Sequence, residues 1–488
     1  MKNSRLISLI RALTPSELKQ FELFVSSEFV NQNTKAIRLL GLIRTAAPDF
    51  SELLINKDRL LWEMGEEGSP IKEQQLHDQF SNLLKLLEEF FAYQAFKKKD
   101  YLFGEMLLEG LEQHKLNDHY QRVWNRFNRK LSLEPLQSGH HLYYNYRMEQ
   151  VQEKLIKQND RAALAEHIGK LSENLDVYFI SEKLKTTCAM ITGQIVTNAQ
   201  FKPQLVEEVA QFLKGQGAHY LRVPHIAIYY QIYLTLTDGE ETSHFDELKR
   251  LLDIHTNNFY PNDAYGMYVY ALNYCVRQIN RGQDRFREEI FQLFQKLLEK
   301  ELLIANGYLL HSHYNNICNV ALSLKKYDWV NEFLKMYKKR LHPDYQENAY
   351  NYNLSVYYYE QKEFGKAMKL LQQVEFTNIF YHINAKNLLL RIFYETEDYD
   401  GIKYLTQAFT ALLKRNQRVP KYQIQAEQNF IRLIKKLTRL RQRQRVLESQ
   451  EFFPRWENLT AQVGETKPLL YGRWLKQKLD DLKVGFEG

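Results

Sequence analysis

The sequence predicts an all-α protein in which a helical N-terminal unit precedes an α-solenoid of helical hairpins. Three observations predict it. Apolar residues recur at helical spacing along almost the whole chain, with no sustained alternation of strand type. The 488 residues include only 20 glycines and 11 prolines, well below the ~7% and ~5% of ordinary proteins. That scarcity excludes turn-rich sandwiches, propellers and collagen-like chains, and it leaves little material for phosphate-binding loops. Finally, one pattern of apolar positions returns at spacings of 37 and 35 residues, within the range of stacked helical repeats.

Residues 1–98 read as the N-terminal unit. The run from Leu6 to Leu13 is apolar but broken by Arg11, and no small-residue cleavage site follows, so a secretory signal is not expected. Thr14-Pro15-Ser16-Glu17 is a helix start. Thr14 can cap, Pro15 suits the first turn, and Glu17 can reach back to the cap. Ser69-Pro70 is expected to open a long helix in the same way. There Leu76, Phe80, Leu83, Leu87 and Phe90 step by 4, 3, 4 and 3, with Leu84 and Phe91 widening the stripe into a buried seam. From Ile71 to Phe91 two lysines stand against four acids, which favours core packing over a DNA-recognition helix. The eleven prolines, Pro48, Pro135 and Pro454 among them, are expected at helix starts or between helices.

Residues 99–450 read as hairpins. Ile317, Leu354 and Leu389 occupy one inner position of a first helix, and Ala321, Tyr358 and Phe393 follow on the same face. Tyr327, Phe364 and Tyr399 mark the turn into a second helix. Val330, Ala367 and Ile402, then Leu334, Leu371 and Thr406, continue it. Asn353 to Leu371 resembles a tetratricopeptide repeat. Ser355 stands at its small position, Tyr358 at its aromatic one and Ala367 at the small position of the second helix. Asn351 replaces the motif's Trp, no proline closes the unit, and Cys318 and Leu390 fill the Gly position of the neighbours. The array is therefore tetratricopeptide-like. Upstream, Ala271–Leu298 and Ile226–Leu252 read as hairpins, with less regular pairs around 101–131, 143–178 and 183–214. Residues 451–488 read as a C-terminal capping segment. The whole layout also resembles an uncharacterised bacterial family of long, Tyr-rich helical-repeat proteins, through Leu18, Phe21, Phe24, Ser27, Phe29 and Asn31 and the long helix from Pro70. That resemblance implies a fold and no activity.

Catalytic chemistry is not expected. GxxxxGK[ST], HExxH and GxSxG are all missing, and Gly215-Gln216-Gly217 is a lone GxG with no strand before it. His311 and His313 point about 200° apart on a helix, so they cannot share a metal by themselves. His140-His141, beside Gly139, is expected in a loop. Glu88-Glu89 and Asp480-Asp481 read as solvated helix surface. Cys188, Cys275 and Cys318 are well separated and form no CxxC pair. They read as small core residues in a reducing compartment. No cofactor, metal site or enzymatic activity is expected.

Two features point to binding. There are 32 tyrosines. Consecutive Tyr357, Tyr358 and Tyr359, and the cluster Tyr265, Tyr268 and Tyr270, cannot all face inward on a helix. Buried rings with satisfied hydroxyls are one reading. The other is an aromatic lining of a concave groove for a peptide, with Tyr265, Tyr268, Tyr357 and Tyr359 as contacts; the same lining could stack bases.

The second feature is charge. Net charge is +7 overall, but residues 414–488 hold 17 basic and 8 acidic residues. The excess peaks between Arg432 and Arg445, where no acid occurs. Arg432, Lys435, Lys436, Arg439 and Arg443 fall on one side, opposite Phe430, Leu433, Leu437, Leu440 and Leu447, while Arg441 and Arg445 flank the stripe. This helix can be the soluble outer face of a terminal cap, a patch for an acidic partner or nucleic acid, or a membrane-surface helix. No stretch approaches the ~18 apolar residues of a membrane span. The expected function is a cytoplasmic, non-catalytic scaffold or adaptor that binds a protein or peptide. The alternative is a nucleic-acid-associated regulator using the basic helix or the N-terminal unit.

Overall fold

The computed structural model describes residues 4–47, 56–65, 68–134, 138–152, 161–197, 200–374, 379–416, 419–444 and 446–487. Pro48, Pro135 and Arg445, singled out above, lie outside the described residues. The protein is all-α, with helices packed as sequential pairs. It divides into two compact units, Met1–Glu182 and Lys183–Gly488.

The first unit opens with α1 (Arg5–Ile10), α2 (Pro15–Val25), α3 (Thr34–Arg44), α4 (Lys57–Glu63) and α5 (Glu73–Lys97). Helix α2 starts on the expected capping box. Glu17 N–H donates to Thr14 Oγ1 at 3.2 Å and Thr14 N–H to Glu17 Oε2 at 2.8 Å. The seam of α5 is buried as its spacing predicts, with Leu76, Phe80, Leu83, Leu87 and Phe90 packing on α1 to α4. Its start differs from expectation. The helix begins at Glu73, three residues after Pro70, where Gln75 Oε1 accepts from Lys72 N–H at 2.9 Å. Next come α6 (Asp100–Gln113), α7 (Asn117–Ser132) and α8 (Gly139–Gln152). His140 and His141 therefore lie in the first turn of α8 and not in a loop, because Ser138 starts a helix there: its Oγ accepts from His141 N–H at 3.3 Å.

Helix α9 runs unbroken over Arg161–Thr197, where two separate hairpins were expected to meet near residue 180. No proline lies in that stretch, Gly169 faces open space and a Cβ at Gly193 would meet only the Phe201 ring at 3.5 Å, so nothing in the backbone ends the helix. The second unit continues with α10 (Val206–Lys214), α11 (Pro224–Thr237), α12 (Ser243–His255), α13 (Pro261–Asn280) and α14 (Phe286–Glu299). A two-residue antiparallel pair follows, β1 (Ile304–Ala305) with β2 (Tyr308–Leu309), which the apolar pattern does not reveal. Then come α15 (His311–Ser323), α16 (Tyr327–Lys338), α17 (Pro343–Glu360), α18 (Phe364–Leu371), α19 (Ile379–Glu395), α20 (Tyr399–Arg415), α21 (Lys421–Arg443), α22 (Ser449–Glu465) and α23 (Gly472–Glu487). Pro454 lies inside α22, contrary to the expectation that prolines only punctuate. The helix runs on although the ring cannot donate a backbone hydrogen bond.

The repeat alignment marks real elements. Tyr327, Phe364 and Tyr399 are the first residues of α16, α18 and α20. The turns before them are one motif used three times. Lys326, Glu363 and Asp398 donate their N–H to the carbonyls of Ala321, Tyr358 and Phe393 at 3.0, 2.9 and 2.9 Å. The residue before each donor, Lys325, Lys362 or Glu397, holds φ of 58°, 62° or 58°. This is the six-to-one closure that usually calls for glycine. In each case α15, α17 or α19 packs on its own successor, and α17 also touches both α15 and α19.

Candidate functional site: a cationic cleft around Arg391

The first helices of these pairs, the α13–α14 turn and α23 enclose a cleft of about 1040 Å³ within the second unit. Six cations line it, Arg287, Lys325, Lys362, Arg391, Arg473 and Lys478, against three carboxylates, Asp284, Glu360 and Glu395. Two of the carboxylates are already engaged. Asp284 takes Arg287 at 3.0 Å and Arg473 at 3.2 Å. Glu395 takes Lys478 at 3.0 Å, the Trp474 indole N–H at 3.3 Å and the Tyr359 hydroxyl at 3.4 Å.

Arg391 is different. It is only 8% exposed, and its guanidinium lies over two rings, 4.7 Å from the centre of Tyr359 and 4.6 Å from that of Tyr471. Among the described residues no carboxylate pairs with it, and its Nε is buried without a partner. Burial works against its charge, but the surrounding Tyr359, Tyr471 and Tyr352 and the Glu360 carboxyl outweigh that, and the group stays cationic. A guanidinium that rests on aromatic rings spends no hydrogen-bond donor on them, and a guanidinium is the group suited to bidentate carboxylate recognition. Glu360 is pushed above the ordinary carboxylate range by the loss of surrounding water; Arg391 opposes that and Glu395 adds to it. Beneath the cleft, burial pushes Glu427 up to about 7, opposed by the amide of Asn387.

The backbone around the cleft is unusual as well. Lys325, Lys362 and Tyr471 have φ of 58°, 62° and 53°, so three non-glycine residues in the left-handed region border one cavity. For Lys325 and Lys362 this is the helix-closing turn described above, which Glu397 shares away from the cleft.

The tyrosines named from the sequence do not form one lining. Tyr359 borders the cleft. Tyr357 is half-buried, edge-on to Tyr327 with ring centres 6.3 Å apart. Tyr265 is half-buried and its hydroxyl meets His313 Nε2 at 3.1 Å. Tyr268 is core: it is wholly buried and its hydroxyl lies 3.2 Å from Thr256 Oγ1. Tyr352 and Tyr471 border the cleft instead.

The basic helix keeps the expected two faces as far as Arg443, where it ends; Leu447 lies beyond it. Arg432, Lys435, Lys436, Arg439 and Arg443 are exposed along α21, while Phe430, Leu433, Leu437 and Leu440 are buried behind them. Arg441 points elsewhere, pairing with Glu397 at 2.9 Å and stacking on Tyr394.

Among the described residues no His, Cys, Asp and Glu group has metal-binding geometry. His313 and His311 each meet a different tyrosine, Tyr265 and Tyr381. The three cysteines are free and buried. Gly217 packs so tightly on the Phe212 ring that a Cβ there would sit 2.4 Å from it, a packing reason for that glycine of the GxG. No described helix is long and apolar enough to cross a membrane. Compared with known proteins, the chain matches no family model, and no curated protein is similar to it in sequence.

Proposed function

We propose that the protein is a non-catalytic scaffold or adaptor. Its tetratricopeptide-like α-solenoid would hold an acidic segment of a partner protein in the Arg391 cleft. The solenoid reading is supported by the repeated turn geometry and by α17 touching the first helix on either side of it. The observation that carries the binding reading is the buried Arg391 guanidinium, which borders an open cleft and has no carboxylate of its own. Isolating a charge from water costs several kcal/mol unless it is paired. A chain that keeps one against two tyrosines gains by it when an anion arrives.

Binding then has two parts. Lys325 and Lys362, at the lip, draw an acidic segment in over distances where screening is incomplete. Arg391 takes one carboxylate along its edge, and the rings of Tyr352, Tyr359 and Tyr471 cover the neighbouring apolar atoms. The strained lysines fit this scheme: a glycine would close each turn with less strain but would carry no charge. Three buried free cysteines suit a reducing compartment such as the cytoplasm.

Fluorescence anisotropy with labelled acidic, neutral and basic peptide pools tests the proposal on the full chain. The acidic pool should bind, and Arg391→Met should weaken it at least tenfold. Equal binding of all three pools, or an unchanged affinity in the variant, would refute it.

A further inference from the structure

We infer that a second, separate surface binds the phosphate backbone of double-stranded nucleic acid: the exposed ridge of α21 with its flanks on α20 and α22. Two shallow hollows, of about 430 and 450 Å³, lie on either side of this ridge. Arg432, Lys435, Lys436, Arg439 and Arg443 border them from α21, Lys414 from α20 and Arg455 from α22. No aspartate or glutamate borders either hollow. Of these seven cations only Arg455 has a carboxylate within reach among the described residues, Glu451 at 3.7 Å, so in a chain with 66 basic and 59 acidic residues the charge is strongly segregated here.

The five ridge cations are also unspent. Elsewhere on the protein, exposed lysines and arginines are repeatedly paired, as in Lys296 with Asp253 and Arg340 with Glu301. On the ridge, Arg432 reaches only the neutral Asn429 and Thr466, at 3.4 and 3.3 Å, and Lys436 reaches Gln462 at 2.6 Å. Among the described residues no carboxylate lies within ion-pair distance of any of the five.

The nature of the surface selects its occupant. An acidic protein would need large apolar anchors in enclosing pockets to hold its position; one hollow has Leu440, Leu447, Pro454 and Leu459 at its edge, but both are shallow and neither has an aromatic ring. Single strands are held by stacking on aromatic rings, which are absent there too. A membrane would need the apolar face of α21, and Phe430, Leu433, Leu437 and Leu440 are buried in the core. What dominates is attraction by charge, which a polyanion rewards through counterion release. From Arg432 to Arg443 the ridge runs about 16 Å at ~1.5 Å per residue. A duplex presents about one charge per 1.7 Å over that length, both strands counted, enough to supply one phosphate for each of the five ridge cations. Nothing on the ridge reads bases, so binding is independent of sequence.

The test is anisotropy of the full chain with a labelled random-sequence duplex from about 50 to about 200 mM salt. Five phosphate contacts give a slope of about −4.5 in log K against log salt, a loss of roughly 500-fold across that range. Lys435→Gln, Arg439→Gln and Arg443→Gln together should bring the slope to about −1.8 with the melting temperature unchanged, because all three side chains are exposed. If that variant fails to fold, Arg443→Gln alone should lower the slope by about 0.9. No binding at about 50 mM salt overturns the inference, as does an unaltered slope in the folded variant. Retention by polyglutamate or anionic vesicles without retention by duplex overturns it in favour of those partners. Arg391→Met serves as a control and should leave duplex binding intact.

Discussion

Asn387 donates its side-chain amide to Glu427 Oε2 at 2.8 Å, and neither residue reaches solvent. One hydrogen bond does not replace the water that Glu427 loses. Its carboxyl is therefore raised from 4.5 to about 7, burial outweighing the amide.

The pH dependence follows from that shift. Between about pH 4.5 and 7 the folded protein holds the Glu427 proton and the unfolded chain releases it, so this residue's contribution falls as pH rises through that window. The whole penalty is on the order of 3 kcal/mol above pH 7. Glu427→Gln, measured by urea denaturation at pH 5 and pH 8, should stabilise the protein more at pH 8 than at pH 5. An equal effect at both would contradict this.

His225 gives the opposite slope. It is buried on α11 and pushed down to about 3, by burial first and by Lys185 second. Its contribution is complete above pH 6.5 and is lost as pH falls from there toward 3. His225→Gln should flatten the acid limb of the stability curve; an acid limb as steep as in the parent protein would rule His225 out as its source.

The turn lysines separate stability from binding. Lys362→Gly relieves a left-handed backbone that costs a side chain roughly 1–2 kcal/mol, offset by about 0.5–1 kcal/mol of unfolded-state entropy. The variant should be as stable as the parent or up to about 1.5 kcal/mol more stable, with weaker capture of acidic peptides. Lys362→Val, β-branched at the same φ, should be less stable than the parent by thermal melting.

Gly401 tests the third turn. A Cβ there would lie 2.5 Å from Asp398 Oδ2, displacing the carboxylate that accepts from Gly401 N–H at 2.8 Å and caps α20. Gly401→Ala should cost about 1 kcal/mol, the worth of an N-cap, by chemical denaturation. No loss would mean the cap contributes nothing.

The helical pairs were legible because their signals are local. Tyr327, Phe364 and Tyr399 recur in sequence and begin their helices in space. The seam of α5 reads directly from its spacing. The single helix over Arg161–Thr197 was not legible, because apolar periodicity does not say whether a helix stops when no glycine or proline stops it. The cleft was harder still. Arg391 stands in the apolar run Leu388–Phe393, and an arginine inside such a run was the available signal. Its partners Tyr359 and Tyr471 come from α17 and from the start of α23, and only packing brings them to it. Tyr268 shows the same limit from the other side, since clustering in sequence did not separate a core tyrosine from a contact one.

Arg391→Met offers the most direct measurement, with stability and acidic-peptide affinity determined on the same preparation. Two cation–π contacts of about 0.5–2 kcal/mol each stand against several kcal/mol for an isolated buried charge. The variant should therefore melt no lower than the parent while losing at least tenfold in affinity. A protein that melts several degrees lower and still captures the peptide would make Arg391 a structural residue and remove the basis for the cleft as a binding site.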